Sequence, residues 1–141
     1  MATTAEVMAV GRLQGIVLSV VQHGAALRSL AAAVRMDDAG WRIAAHVALR
    51  SIRAAADQRD GLPPLPGLTE AEGAAILTAL SDVAATATMA DLAVVSGNVS
   101  SFTALVAYRL PRVLAALDRA MQTLTRTMMV RRETGAVGFA C

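Results

Sequence analysis

Large apolar residues recur along the last third of the chain with the spacing of a helix that packs against another helix. Between residues 110 and 128 their separations are four, three, four, three and four, the heptad pattern that keeps one side of a helix turned toward its neighbour. We call this row the C-terminal seam and predict that it forms the interface with a partner. Its members are Leu110, Leu114, Leu117, Met121, Leu124 and Met128.

The composition favours helices over strands along the whole chain. Hydrophobic residues make up 55% of the sequence, but only 3% of it is aromatic. Much of the apolar content is alanine, the best helix former, whereas strands prefer β-branched and aromatic side chains. We therefore predict an all-α fold, an antiparallel bundle of four principal helices, or five if Gly24 or Pro111 breaks one. Residues 1–134 would form a single helical domain and residues 135–141 a loose C-terminal tail without an apolar period.

The first helix is predicted to run from a cap at Thr4 or the residue before it to about residue 36. Its apolar stripe is broader than two positions in seven, which predicts burial on more than one side. Gly11, Gly15 and Ser19 recur every four residues and would let another backbone approach closely. The first helix is thus a second candidate for the contact with a partner.

Turn and capping signals divide the rest of the chain. A second helix is predicted from Trp41 to about Arg59, followed by a proline-rich linker at 62–67. Thr69 and Glu72 form a capping box that opens a third helix, and Ser96–Asn98 ends it with residues that favour turns. The last helix would be capped by Ser100 or Ser101 and either kink at Pro111 or restart there.

Several chemistries are excluded by the residues that the chain lacks. All thirteen basic residues are arginine, so no lysine can act as a phosphate-loop residue, a Schiff base or a general base. The only cysteine is Cys141, which rules out an intramolecular disulfide bond. His23 and His46 lie on different predicted helices without a motif for metal binding. We therefore predict a protein without cofactor, metal or catalytic activity.

Two rows of arginines are candidate binding sites for an anion or an acidic partner. One row recurs every seven residues on the side of the last helix opposite the seam, and the other accompanies a histidine on the second helix. The simplest interpretation is two solvated faces, and the lack of aromatic residues among the arginines argues against nucleic acid as the partner. The rows consist of Arg112, Arg119 and Arg126, and of Arg42, Arg50 and Arg53.

The leading functional prediction is a structural or adaptor protein that self-associates or binds an obligate protein partner through apolar helix faces. A binding module for a hydrophobic ligand or an acidic partner is one alternative. A precursor that presents its C-terminal peptide for processing is another. The longest uncharged runs have fifteen and seventeen residues, fewer than the roughly twenty needed to span a membrane. We therefore predict no membrane span and a cytoplasmic location.

Overall fold

The protein is all-α, as predicted. The computed structural model describes residues 4–33, 40–62, 65 and 68–140, with the side chains of residues 5, 6 and 127–140 excepted, and no β-strand occurs among them. A 3₁₀ turn, Gln58–Gly61, follows α2, and a π-helical segment, Leu105–Arg109, joins α4 to α5 without a break. The helices are α1 (Thr4–Ala33), α2 (Gly40–Asp57), α3 (Glu70–Val95), α4 (Val99–Ala104) and α5 (Leu110–Ala140).

The helices pack in an order that follows the chain. α1 lies against α2, α2 against α3, and α3 against α5, while α1 also contacts α4, the π-helical segment and α5. Side chains at the helix ends show that neighbours are antiparallel. Arg42 at the start of α2 reaches the last residues of α3, and Arg12 near the start of α1 reaches Gly61 after α2. With α4 and α5 joined end to end, the four principal helices form the predicted antiparallel bundle.

One hydrophobic core runs through the bundle. Alanines supply many of its buried positions on α2 and α3, which allows these two helices to pack closely. At the end where α2 and α4 begin, the rings of Trp41 and Phe102 stack at 5.2 Å with a tilt of 32°. Leu13, Leu27 and Leu80 are among the largest side chains that are fully buried in this core.

The capping signals at both ends of α3 are confirmed. Thr69 Oγ1 accepts from the amide of Glu72 at 3.1 Å, and Glu72 Oε1 accepts from the amide of Thr69 at 3.2 Å. After α3 the chain turns at Gly97, whose φ of +69° is available to glycine at little cost. The expected serine cap of the next helix is wrong. Asn98 caps α4 instead, because its Oδ1 accepts from the amide of Ser101 at 3.0 Å.

Neither residue expected to interrupt a helix does so. α1 is continuous through Gly24, because this residue is buried against α5 rather than exposed to water. Before Pro111 the helix widens, and the amide of Leu110 bonds to the carbonyl of Leu105 five residues earlier. Proline cannot donate to the carbonyl four residues before it and crowds that group. The π-helical segment shifts the hydrogen-bond register just before the proline, so the helix continues instead of restarting.

The ends of two helices differ from the prediction. α2 ends at Asp57, two residues earlier than expected, and gives way to the 3₁₀ turn. α5 continues through Ala140, so the predicted tail from residue 135 begins inside a helix; its glycines lower helix propensity by only about 1 kcal/mol each. The predicted end of the first helix near residue 36 and most of the proline-rich linker lie outside the described residues.

Candidate functional site

The C-terminal seam is part of the core of the chain itself. Leu110, Leu117 and Leu124 are 1–3% exposed, and Leu114 and Met121 are half-buried against the same core. The side chain of the sixth member, Met128, is outside the described part. The prediction that this seam is an interface with a partner is therefore wrong for its described members. Heptad spacing indicates only that one side of a helix faces another helix, and here α5 packs on α3 of the same chain.

One side of α1 is left uncovered. Val7 and Leu18 are 57% and 58% exposed, and Val21 is 46% exposed. A Cβ atom built on Gly11 or Gly15 would meet nothing within 4 Å. The prediction that α1 is buried on more than one side is therefore wrong for the bundle of a single chain.

The uncovered side of α1 carries a second row with heptad spacing, which we call the outer row. Its successive separations are four, three, four, three, four, three and four, and every member is exposed. Most of its residues are apolar or small, and two are polar. The row consists of Val7, Gly11, Gln14, Leu18, Val21, Ala25, Arg28 and Ala32.

The arginine row of α5 lies at the surface. Arg112, Arg119 and Arg126 are all exposed, and none of them forms an ion pair with another described side chain. The neighbouring Arg109 is anchored, because its Nε donates to the buried Thr86 Oγ1 at 3.2 Å. The arrangement is a dispersed positive face on one helix, and no pocket brings all three arginines together among the described residues.

The arginine row of α2 divides into two roles. Arg42 donates from Nε to the carbonyl of Val94 at 3.1 Å and from Nη2 to that of Val95 at 2.7 Å. It thereby satisfies carbonyl groups at the end of α3, where a positive charge is also favoured by the helix dipole. Arg50 and Arg53 lie about two and three turns further along α2 and line a surface groove.

A histidine and an aspartate close one end of this groove. His46 Nδ1 lies 2.7 Å from Asp91 Oδ1, and the two side chains are 43% and 29% exposed. This pair was not predicted from the sequence, because its members lie on α2 and α3 and are separated by 45 residues. Antiparallel pairing of two predicted helices would have been needed to bring them together.

We call this hollow the α2–α3 groove, and its volume is about 540 Å³. α2 contributes its charged residues, whereas α3 contributes mainly small or apolar ones. An apolar floor with a few charged groups on its rim is typical of small-molecule sites. Its lining consists of His46, Leu49, Arg50, Arg53, Ala54, Asp57, Ala87, Thr88, Asp91, Leu92 and Val95.

The second histidine belongs to α1 alone. His23 Nδ1 lies 2.8 Å from the carbonyl oxygen of Ser19, one turn earlier. It is half-buried and lies on a different helix from His46. Within the residues that the structure describes, no group of three or more His, Cys, Asp or Glu side chains is arranged to hold a metal ion.

Two helices have the length and composition needed to cross a membrane. They are Val7–Ala33 and Glu70–Val95, with mean hydropathies of 1.4 and 1.3 in the most apolar window. No membrane span was predicted from the sequence because only uncharged runs were counted. A helix apolar enough to cross a membrane can contain an isolated charged residue, and Val7–Ala33 contains Arg12. Core helices of soluble bundles pass the same test, so the observation by itself decides neither case.

Comparison with known proteins gives no assignment. No protein-family model, no curated protein and no solved structure matches the chain.

Proposed function

We propose that this protein is a non-catalytic structural or adaptor subunit that self-associates through the outer row of α1. The observation that carries the proposal is that this row has the heptad spacing of a helix interface but no helix of the described chain covers it. Exposed apolar surface of this kind generally marks a site of interaction. The row therefore takes the place of the C-terminal seam, whose described residues are buried or half-buried in the core of the same chain.

The row also has the steric properties of a helix contact. Next to Gly11 and Gly15 there is open space beyond the position of a Cβ atom, so a second backbone can approach α1 closely there. Leu18 and Val21, near the middle of the row, offer the large apolar side chains that lose most contact with water on association.

A second copy of the same chain fits this row because the row is nearly symmetric about its own centre. If two copies of α1 run antiparallel about a point between Ser19 and Val20, each residue i meets residue 39 − i of the other copy. Leu18 then meets Val21, and Arg28 lies over Gly11, where no side chain obstructs it. Such a contact uses the same surface on both chains, as twofold dimers do.

The polar members of the row favour pairing in water over insertion into a bilayer. Gln14 and Arg28 belong to the row. A charged side chain at the centre of a bilayer costs about 2.5–3.5 kcal/mol or more. In an antiparallel helix pair the same side chains reach solvent along the edges of the contact.

Light scattering after size exclusion, over a hundredfold range of protein concentration, tests the proposal. We expect the wild-type chain to be a dimer and the Leu18→Glu/Val21→Glu variant to be a monomer with unchanged helical circular dichroism. The control is Ile43→Glu/Val47→Glu, which places the same charges at exposed apolar residues of α2 and should leave the mass unchanged. A wild-type monomer at every concentration, or a variant with wild-type mass, contradicts the proposal. Recovery of the chain only in detergent would point to a membrane instead.

A further inference from the structure

The α2 wall of the α2–α3 groove carries Arg50 and Arg53, and the α3 wall has no carboxylate level with either of them; Asp91, its only acidic lining residue among those described, lies at the end of the groove against His46. The contacts of Arg42 with Val94 and Val95, and of His46 with Asp91, fix the pairing of the antiparallel helices. At equal rise along both helices, Arg50 comes level with Ala87 and Arg53 with Ala84. The residues of α3 opposite these two arginines are therefore alanines.

No carboxylate of α3 is placed to compensate these two arginines. Of its four acidic residues, Glu70 and Glu72 lie in the first turn. Asp82 lines hollows on the side facing α5, and Asp91 is engaged by His46. An ordinary surface ion-pair ladder would place an acid opposite each arginine. α3 does not do so here.

Asp57 on α2 balances the positive charge of Arg50 and Arg53 only in part. Asp57 Oδ2 lies 3.9 Å from Arg53 Nε, whereas Asp57 Oδ1 lies 3.2 Å from Nη1 of Arg59, which is outside the groove. Arg50 forms no hydrogen bond or ion pair with any described group. Two guanidinium groups, one of them without a partner in the described chain, are therefore available to a ligand.

The rest of the groove offers apolar surface at a short distance from these charges. Leu49 and Ala87 are buried at its floor, and Leu92 and Val95 are about two-thirds exposed at its rim. Apolar side chains so exposed lose contact with water when a ligand covers them. The volume of about 540 Å³ is in the range of pockets for small organic molecules.

We propose that the α2–α3 groove binds a small organic oxyanion, a carboxylate or phosphate group joined to an apolar body. Arg50 and Arg53 hold the oxyanion, because guanidinium groups bind such oxygens through paired hydrogen bonds. The apolar body covers Leu49 and Leu92. The carboxylate of Asp91 lies at the end of the groove against His46, about one turn of α3 away from the residue level with Arg50.

The proposal is tested with two probes, phenyl phosphate and phenylacetate, in ¹H–¹⁵N NMR titrations of the full-length protein at about 150 mM ionic strength. We expect at least one probe to saturate at millimolar concentration or below, with shifts confined to residues 46–57 and 84–95. The tighter probe identifies the headgroup. Benzyl alcohol, which lacks the charge, and inorganic phosphate, which lacks the apolar body, should each bind at least about tenfold more weakly.

Two matched pairs of arginine variants distinguish specific binding in the groove from nonspecific attraction of the anionic probe to surface arginines. Arg50→Gln/Arg53→Gln should weaken binding of the tighter probe at least about tenfold. Arg119→Gln/Arg126→Gln, which removes the same charge from α5, should leave it unchanged. Thr88→Met, which fills the groove without changing a charge, should also weaken binding.

Equal effects of both arginine pairs, shifts spread over all arginines, or no saturation by either probe overturns the proposal. Because the groove and the outer row occupy different helices, the monomeric Leu18→Glu/Val21→Glu variant should bind the probe as the wild type does.

Discussion

Gly24 of α1 and Leu114 of α5 touch so closely that a Cβ atom built on Gly24 would stand 3.1 Å from Leu114 Cδ1. Ordinary contacts between carbon atoms are about 3.5–4.0 Å. The glycine therefore brings the two helices together, and its backbone is protected from water by the same contact. This explains why a residue that often weakens helices lies inside an unbroken one.

Gly24→Ala is expected to change stability by less than about 1 kcal/mol, because two effects oppose each other. Alanine raises the helix propensity by about 1 kcal/mol, while its methyl group displaces Leu114. In a Leu114→Ala background the clash is absent, so the same change should stabilise the protein by about 0.5–1 kcal/mol. Urea unfolding of the four proteins, at one protein concentration, measures this coupling. The control Gly73→Ala on α3, where nothing lies within 4 Å, should stabilise by a similar amount. An equal effect of Gly24→Ala in both backgrounds would contradict the contact.

Leu117→Ala is expected to destabilise the protein by about 2–5 kcal/mol, because a fully buried leucine leaves a cavity. The side chain is 1% exposed on the face of α5 that packs into the core. Leu117→Glu should unfold the chain, since a buried unpaired charge adds several kcal/mol to this loss. Ile43→Ala, at a residue 74% exposed, should stay within about 0.5 kcal/mol of the wild type. A folded Leu117→Glu variant of lower mass would show that the seam is an interface between chains after all.

Much of the fold was predictable from local signals. Apolar periodicity predicted the helices because each helix must bury one side, and the pair Thr69 and Glu72 marked the start of α3 because both sides of a capping box lie three residues apart. Gly97 marked its end because the turn there requires positive φ. The π-helical segment before Pro111 was not predictable, because local sequence does not tell a kink from a change of hydrogen-bond register.

The identity of the surface that each face meets was not predictable. The C-terminal seam and the outer row of α1 have the same spacing, yet Leu117 is buried and Leu18 is exposed. Heptad spacing of apolar residues indicates that one face of a helix is suited to packing. It does not indicate which helix, of the same chain or of another, covers that face. The same limit applies to His46 and Asp91, since nothing in either local sequence indicates the other.

His46 is expected to carry its proton on Nδ1 when the ring is neutral. A carboxylate can only accept hydrogen bonds, so the 2.7 Å contact with Asp91 Oδ1 requires a donor at Nδ1. Long-range ¹H–¹⁵N spectra distinguish the two tautomers directly. Asp91→Asn should shift the population toward the Nε2–H form, whereas Asp82→Asn, on the side of α3 facing α5, should not. The Nε2–H form in the wild type would show that the pair is not formed in solution.

Arg42 and Arg50 belong to one row of the sequence but should respond differently to the same substitution. Arg42 donates to the carbonyl groups of Val94 and Val95 at the end of α3. Arg42→Ala should therefore cost about 1–2 kcal/mol, the loss of charged hydrogen bonds reduced by solvent exposure. Arg50→Ala removes the same charge about two turns further along α2 and breaks no contact with a described group. The stability of this variant should stay within about 0.5 kcal/mol of the wild type.

Arg42→Lys provides a further distinction. An ammonium group carries the charge but lacks the planar fork that reaches two carbonyl oxygens from different nitrogen atoms. Lysine should recover only part of the loss if the hydrogen bonds matter, and nearly all of it if the charge at the end of α3 is sufficient. Urea unfolding of the three variants decides between these causes. Equal stability of Arg42→Ala and Arg50→Ala would mean that both side chains are simply solvated, as the sequence alone suggested.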